Sequence, residues 1–321
     1  MGGRKLIKFG KSAFCMTLPQ AWIKKNKLQK GHVLNVEETM HNSLEIFPGE
    51  LKREATSKIT ILITDKSIDE IVDVFLAAYL NGYSIIELRG PNAGKMADIR
   101  SSINEFIAAE IMEVTSQEII IHVFWDAETI DLDSIINRMG HIIRSMLFES
   151  EELISGNVAL EDIKEKEREI KRQVLLARRF INYALTHSFT AQKCGLAPVH
   201  TLYTSHIVYF YGVSAEYVSK IANILADSDT NELDEPERQK LKSLIEQVAS
   251  YFTKSTELYK QKNDGSRISM SNYEVIEDTI KKYNTLQERA WVAIFVEYAF
   301  LLLMKIKEIE IMTVSIKNAI E

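Results

Sequence analysis

Side chains whose type and spacing can do chemistry gather at the start of the chain. Arg4, Lys5, Lys8, Lys11, Lys24, Lys25, Lys27 and Lys30 all precede the first acidic residue, Glu37. Residues 1–50 hold these eight cations and four acids, Glu37, Glu38, Glu45 and Glu50, for a sum of +4. The 321-residue chain carries −6, so the remainder carries −10. A split of this kind attaches a basic contact surface to an acidic body, and the chemistry it offers is attachment to a polyanion. Only Arg4 among the eight is an arginine. An ammonium is a point charge suited to phosphate, whereas a guanidinium more often makes the two-pronged contact to guanine. Lysines in this number suit phosphate groups more than base edges.

The other chemical motifs are weak. "GPNAGK" (Gly90 to Lys95) has three residues between its glycines where a phosphate-binding loop needs four, and Met96 stands where Ser or Thr would reach magnesium. It reads as a connecting loop. His200 and His206 are six apart, on different sides of a helix, and His206 is expected in a core. No GxSxG, HExxH or Cys–His arrangement is present, so neither an enzyme nor a cofactor is expected. Cys15 and Cys194, far apart, give no disulfide framework and no CxxC knuckle, which fits a reducing, cytoplasmic setting. No apolar run follows the N-terminal charges, so no signal peptide is expected. "WVAIFVEYAFLLLM" (Trp291 to Met304) contains Glu297 and falls short of the ~20 residues a bilayer requires. It is expected as a buried bundle helix, without membrane insertion.

The elements that position these groups fall into three zones. In residues 1–50, "KLIKF", "SAFCMTL", "HVLNVEE" and "SLEIF" read as short strands around one helical stretch, "PQAWIKKN". The core available there is small: Ile7, Phe14, Met16, Leu18, Trp22, Ile23, Leu28, Leu34, Val36, Leu44 and Ile46. A unit of this size is marginal alone, which predicts an obligate homodimer through it. Residues 57–128 alternate strand and helix signals. "KITILIT" is a strand, Ser67 and Glu70 form a capping box for a helix ending near Asn81–Gly82, and "YSIIELRG" is a second strand. A helix over roughly Ala97 to Glu110 and one or two strands in "IMEVTSQEIIIHVFW" complete a small α/β sandwich of ferredoxin-like type. Residues 131–321 read as helix almost throughout. Stripes run through Leu132–Leu147, Ile163–Ala184 and His206–Leu225, Pro198 and Pro236 mark helix starts, and a break is expected around 285–297. The fold class is multidomain α+β: an N-terminal β domain, a small α/β domain and an all-α antiparallel bundle of two three-helix repeats.

Residues 4–48 resemble the SpoVT/AbrB swapped-hairpin family in the pattern "RK…FGxS…LPxxW…L.KG..V.V…L.I.P". Residues 131–321 resemble PhoU: "INRMGHIIRSML" is similar to its first helix and "SAEYVSKIANILAD" to its motif-bearing third. A head of the first kind on a body of the second is the architecture of archaeal-type phosphate uptake regulators. The resemblance implies a dimeric, DNA-binding transcription regulator of phosphate homeostasis. It places Lys11 where the family has a DNA-contacting arginine, Lys24 and Lys25 at a second basic pair, and Arg4, Lys5 and Lys8 along the first strand. It also implies a body that senses phosphate status or docks on a phosphate transporter ATPase or sensor kinase. An adaptor whose head is only a dimer clasp is the competing expectation.

The sequence departs from PhoU at one chemical position. The family's motif helix carries a Glu and an Asp four apart, facing one metal; here the matching residues are Glu216 and Lys220. In "EIEIMTVSIKNAIE" no register gives such a pair, since Met312 follows Glu308 and Val314 follows Glu310 at that spacing. No metal site is expected. Glu216 and Lys220 should form a self-neutralising helix pair worth about 0.2–0.5 kcal/mol.

Overall fold

Short alternating segments and Gly-bearing turns make two hairpins at the start of the chain. The computed structural model describes residues 3–38, 43–48, 57–92, 94–156, 158–187, 190–191, 194, 197–228, 233–261 and 289–318. The chain divides into two compact units, Met1–Ala55 and Thr56–Glu321. In the first, β1 (Ile7–Phe9) pairs antiparallel with β2 (Ala13–Cys15), and β3 (Leu34–Glu38) with β4 (Leu44–Pro48). Between the hairpins lies α1 (Gln20–Lys25), whose N-cap is Pro19.

The second unit opens with a four-stranded sheet. Its strands are β5 (Lys58–Leu62), β6 (Ile85–Arg89), β7 (Ala109–Val114) and β8 (Glu118–Val123), in the order β5-β6-β8-β7. The β5–β6 pair is parallel and is joined through α2 (Ile68–Leu80); the other two pairs are antiparallel. The ferredoxin-like expectation is thereby corrected. That fold runs β-α-β-β-α-β, whereas this chain runs β-α-β-α-β-β, with α3 (Met96–Ile103) placed before a closing hairpin. The expected helix over 97–110 is also corrected, because it stops at Ile103. Ala108 then turns with φ +65°, and Glu110 is already paired with His122 in the sheet.

The expected capping box is present. The Ser67 backbone N–H donates to Glu70 Oε2 at 2.7 Å, and Glu70 N–H donates to Ser67 Oγ at 3.2 Å. The core of this layer joins Ile63, Ile86, Leu88, Ile119 and Ile121 of the sheet segment to Ile71, Phe75, Tyr79, Ile99 and Phe106. Gly90 closes it. Its φ is +140°, and a Cβ there would lie 2.9 Å from the Thr64 backbone nitrogen. Gly90→Ala is therefore expected to destabilise the protein by about 2–4 kcal/mol, seen as a lower urea midpoint, since strain and overlap with backbone add.

Five long helices follow: α4 (Leu132–Leu153), α5 (Leu160–Thr186), α6 (Pro198–Asp227), α7 (Glu235–Lys260) and α8 (Ala290–Asn318). Helix α6 packs against α4, α5 and α8, and α7 against α4 and α8. A helix touched on three sides cannot show a narrow apolar stripe. This is why His206, expected in the core, is exposed, while His200 is buried beside Thr201 and Thr204. The break expected around 285–297 does not occur from Ala290 onward, where α8 is continuous; residues 262–288, which the expected sixth helix needs, lie outside the described ones. The run from Trp291 is interior: Phe295, Leu302, Ile306 and Ile309 are buried. Helix α7 begins at a capping box that the sequence reading passed over, Asp234 with Glu237, just ahead of Pro236.

One side chain ties the helices to the α/β layer. Arg179 of α5 is 0% exposed. Its guanidinium donates to the Tyr79 carbonyl and, at 3.1 Å each, to those of Gly82 and Tyr83. It also lies 4.9 Å from the Tyr79 ring centre and 4.7 Å from that of Trp125. Tyr79 lies in the last turn of α2 and Gly82 and Tyr83 just beyond its end; Tyr79 O also accepts from Gly82 N–H and Gly82 O from Ser57 Oγ. Asn182, one turn on, donates to Leu80 O at 3.0 Å. No helix among the described residues is long and apolar enough to cross a membrane.

Candidate nucleic-acid interface

The first unit is where the sequence places the polyanion contact. Phe9 pairs with Ala13, so Gly10, Lys11 and Ser12 form a three-residue hairpin loop, entered through Gly10 at φ +70°, a conformation glycine adopts without steric cost. Lys11 is thus at the tip of the hairpin. Lys8 lies on β1 opposite Phe14, and Arg4 and Lys5 lead into the strand. Lys24 and Lys25 are the last two residues of α1. All six are exposed, and none has an ion-pair partner among the described residues.

The end of α1 is built around a seventh cation. Lys27 N–H bonds Lys24 O at 3.1 Å and Leu28 N–H bonds Ile23 O at 3.0 Å, the double closure of a Schellman turn. That turn needs a left-handed residue and usually takes glycine. Here Lys27 adopts φ +52°, at a cost of roughly 1–2 kcal/mol. A lysine held where glycine would be cheaper keeps charge at the helix end. Cations there also interact favourably with the helix dipole, so structure alone accounts for part of the preference for Lys24 and Lys25.

None of the described residues of the first unit is buried. Phe9 (73% exposed), Val33 (73%) and Phe14 (61%) lie open, with Leu6, Ile7, Met16, Val36 and Leu44. Of the eleven residues expected as its core, Leu18, Trp22, Ile23, Leu28, Leu34 and Ile46 are half-buried and the other five are exposed. Two small hairpins and six residues of helix do not enclose an interior.

The remaining motif positions are structural in geometry. Glu216 and Lys220 pair at 2.7 Å on α6, and the hydrogen bond to Glu216 holds the Lys220 ammonium above its ordinary range. Lys220 also sits 5.4 Å from the Tyr298 ring centre. Among the described residues no group of three His, Cys, Asp or Glu side chains could hold a metal ion. In the loop after β6, Asn92 donates to Thr115 O at 2.7 Å and Lys95 Nζ to Lys66 O at 2.6 Å, so both polar side chains are spent on the fold. The sequence reading missed Arg179, which is hidden among the charged residues of α5, and a polar face of α4 treated below. None of the protein families compared matches the chain, and no curated protein and no solved structure does.

Proposed function

We propose that the protein is a homodimeric DNA-binding transcription regulator resembling phosphate uptake regulators. Its first unit pairs with a twin as a swapped-hairpin head, and its helices form a PhoU-like body for sensing or partner docking. The observation that carries this reading is the coincidence, in one unit, of uncovered apolar residues on both hairpins with six exposed cations that have no ion-pair partner among the described residues. A second copy would cover the former and double the latter. If four cations per protomer meet phosphate, the dimer neutralises about eight, and log K should fall with log salt at a slope near −7. Fluorescence anisotropy of the full chain on a labelled duplex over a salt series measures it. A slope shallower than about −2, or no binding at low salt, overturns the reading.

A second reading, an adaptor that docks on a phosphate transporter ATPase or a sensor kinase with the head as a clasp, draws on the second unit. A cleft of about 780 Å³, between residues 104–107, α4 and α5, is lined by both signs of charge, with Glu105, Asp162, Arg168 and Arg172 among them. Mixed charge of that kind suits a protein surface.

A further inference from the structure

Helix α4 turns one face to the bundle core, through Leu132, Ile136, Met139, Ile143, Met146 and Leu147. Ser134, Asn137, Arg138, His141 and Ser145 recur at the helical spacing of a different face. With Lys166 of α5 and a single apolar residue, Ile142, they line a second cleft, of about 460 Å³. No acid lines it. Four of the lining residues are bonded to carboxylates beside the cleft: Ser134 Oγ donates to Asp131 at 2.6 Å and Ser145 Oγ to Glu149 at 3.1 Å, Arg138 pairs with Glu169 and Lys166 with Glu149. A guanidinium has five N–H groups and an ammonium three, so both cations keep donors beyond these single bonds. Asn137 makes no hydrogen bond among the described residues.

His141 adds an imbalance. Arg144 Nη2 lies 3.3 Å from its Nδ1, and Lys260 Nζ of α7 lies 3.2 Å from its Nε2. A neutral imidazole accepts at one nitrogen and donates at the other, while arginine and lysine only donate. One of the two contacts therefore sets an N–H against a cation. Neither Arg144 nor Lys260 has a carboxylate partner among the described residues. Around His141 donors exceed acceptors, while Glu149, which accepts from Lys166 and Ser145, keeps a buried oxygen, Oε2, with no hydrogen-bond partner among the described residues.

We propose that this face of α4 binds a dianionic tetrahedral oxyanion, either inorganic phosphate or the phosphate group of a small phosphomonoester, through Arg138, Lys166, Asn137 and His141. The cleft is shallow and open to solvent, with room for a small anion. The inference concerns the second unit alone and stands whether or not the first binds DNA. A proton linkage comes with it. Partial burial and the Lys260 and Arg144 charges hold His141 below its ordinary value of 6.5, so it is neutral at pH 7. The charged groups around it are Arg144 and Arg138 on its own helix, Lys260 from α7, and Lys166 from α5 with that lysine's partner Glu149. An anion among these cations favours the protonated ring. The site thus gains a positive charge as pH falls, and binding tightens.

Titration calorimetry of the full chain at low ionic strength tests this with inorganic phosphate, glycerol phosphate and sulfate. Sulfate remains a dianion across the range, so its pH dependence reports the protein. Its affinity is expected to rise at least about threefold from about pH 7.5 to 5.5, and His141→Gln to flatten that rise. Asn137→Asp puts an acid in the cleft without breaking a bond, and should weaken phosphate at least about tenfold at unchanged Tm. Arg138→Gln with Lys166→Gln should abolish binding. An ester binding about tenfold tighter than phosphate assigns the site to phosphomonoesters, and equal or weaker binding assigns it to the free anion. Heats no larger than those of chloride at equal ionic strength, or an Asn137→Asp protein that binds as well as the parent, overturn the proposal. DNA binding measured in parallel separates this failure from failure of the head.

Discussion

A chain carrying Lys11→Glu, Lys24→Glu and Lys25→Glu is expected to lose retention on duplex DNA while keeping its oligomeric mass. Each protomer changes by six charge units, and a dimer loses six cations that could neutralise phosphate. The salt slope should fall by about 5, and affinity at low salt by at least about a thousandfold. The dimer should survive, because all three lysines are exposed, without ion-pair partners among the described residues, and are not the apolar residues that need cover. Anisotropy on DNA and sedimentation of the same sample measure the two outcomes together. Unchanged DNA affinity with an intact dimer would remove the regulator reading and favour the adaptor.

Replacing Arg179 by Ala is the second large effect, and it concerns stability. The substitution strips the carbonyls of Tyr79, Gly82 and Tyr83 of a charged donor and leaves a void between the Tyr79 and Trp125 rings. Tyr79 O and Gly82 O keep donors in Gly82 N–H and Ser57 Oγ, so the cost is that of lost charge-assisted hydrogen bonds, about 1.5–3 kcal/mol, and the void adds to it. A total loss of about 3–5 kcal/mol is expected, read as a lower urea midpoint by circular dichroism. Arg179→Lys should recover little, since an ammonium cannot bridge three separate carbonyls and stack between two rings at once. A loss below about 1 kcal/mol for the alanine variant would show that the guanidinium costs as much to bury as it returns.

The parts of this architecture set by local chemistry could be read from the chain. Ser67 with Glu70 marked a helix start because the capping box needs those types at that spacing, and both hydrogen bonds form. Pro198 marked another, at the first turn of α6. The failures share one cause, which is that tertiary pairing outweighed local pattern. Phe106 and Ile107 extend the apolar spacing of α3, yet pairing of Ala109–Val114 with β8 claims the following residues for a sheet. His206 was assigned to the wrong side of α6 because a helix packed on three sides has no single apolar face to read. Arg179 was invisible for the converse reason: it lies off the apolar stripe read from Ile163 to Ala184, and only the approach of the end of α2 makes it interior. For the candidate interface, the charge split was legible as bare counting. The Schellman turn holding Lys27 was not, because nothing in the local sequence marks a lysine as left-handed.

That the first unit buries none of its described residues also bears on dosage. A segment without an interior has little folding free energy of its own, and whatever covers it supplies the deficit. With a twin as the cover, order in this segment becomes a second-order event, and each tenfold dilution removes about 1.4 kcal/mol from it. Scarcity of the polypeptide would then disarm the head before any effector does.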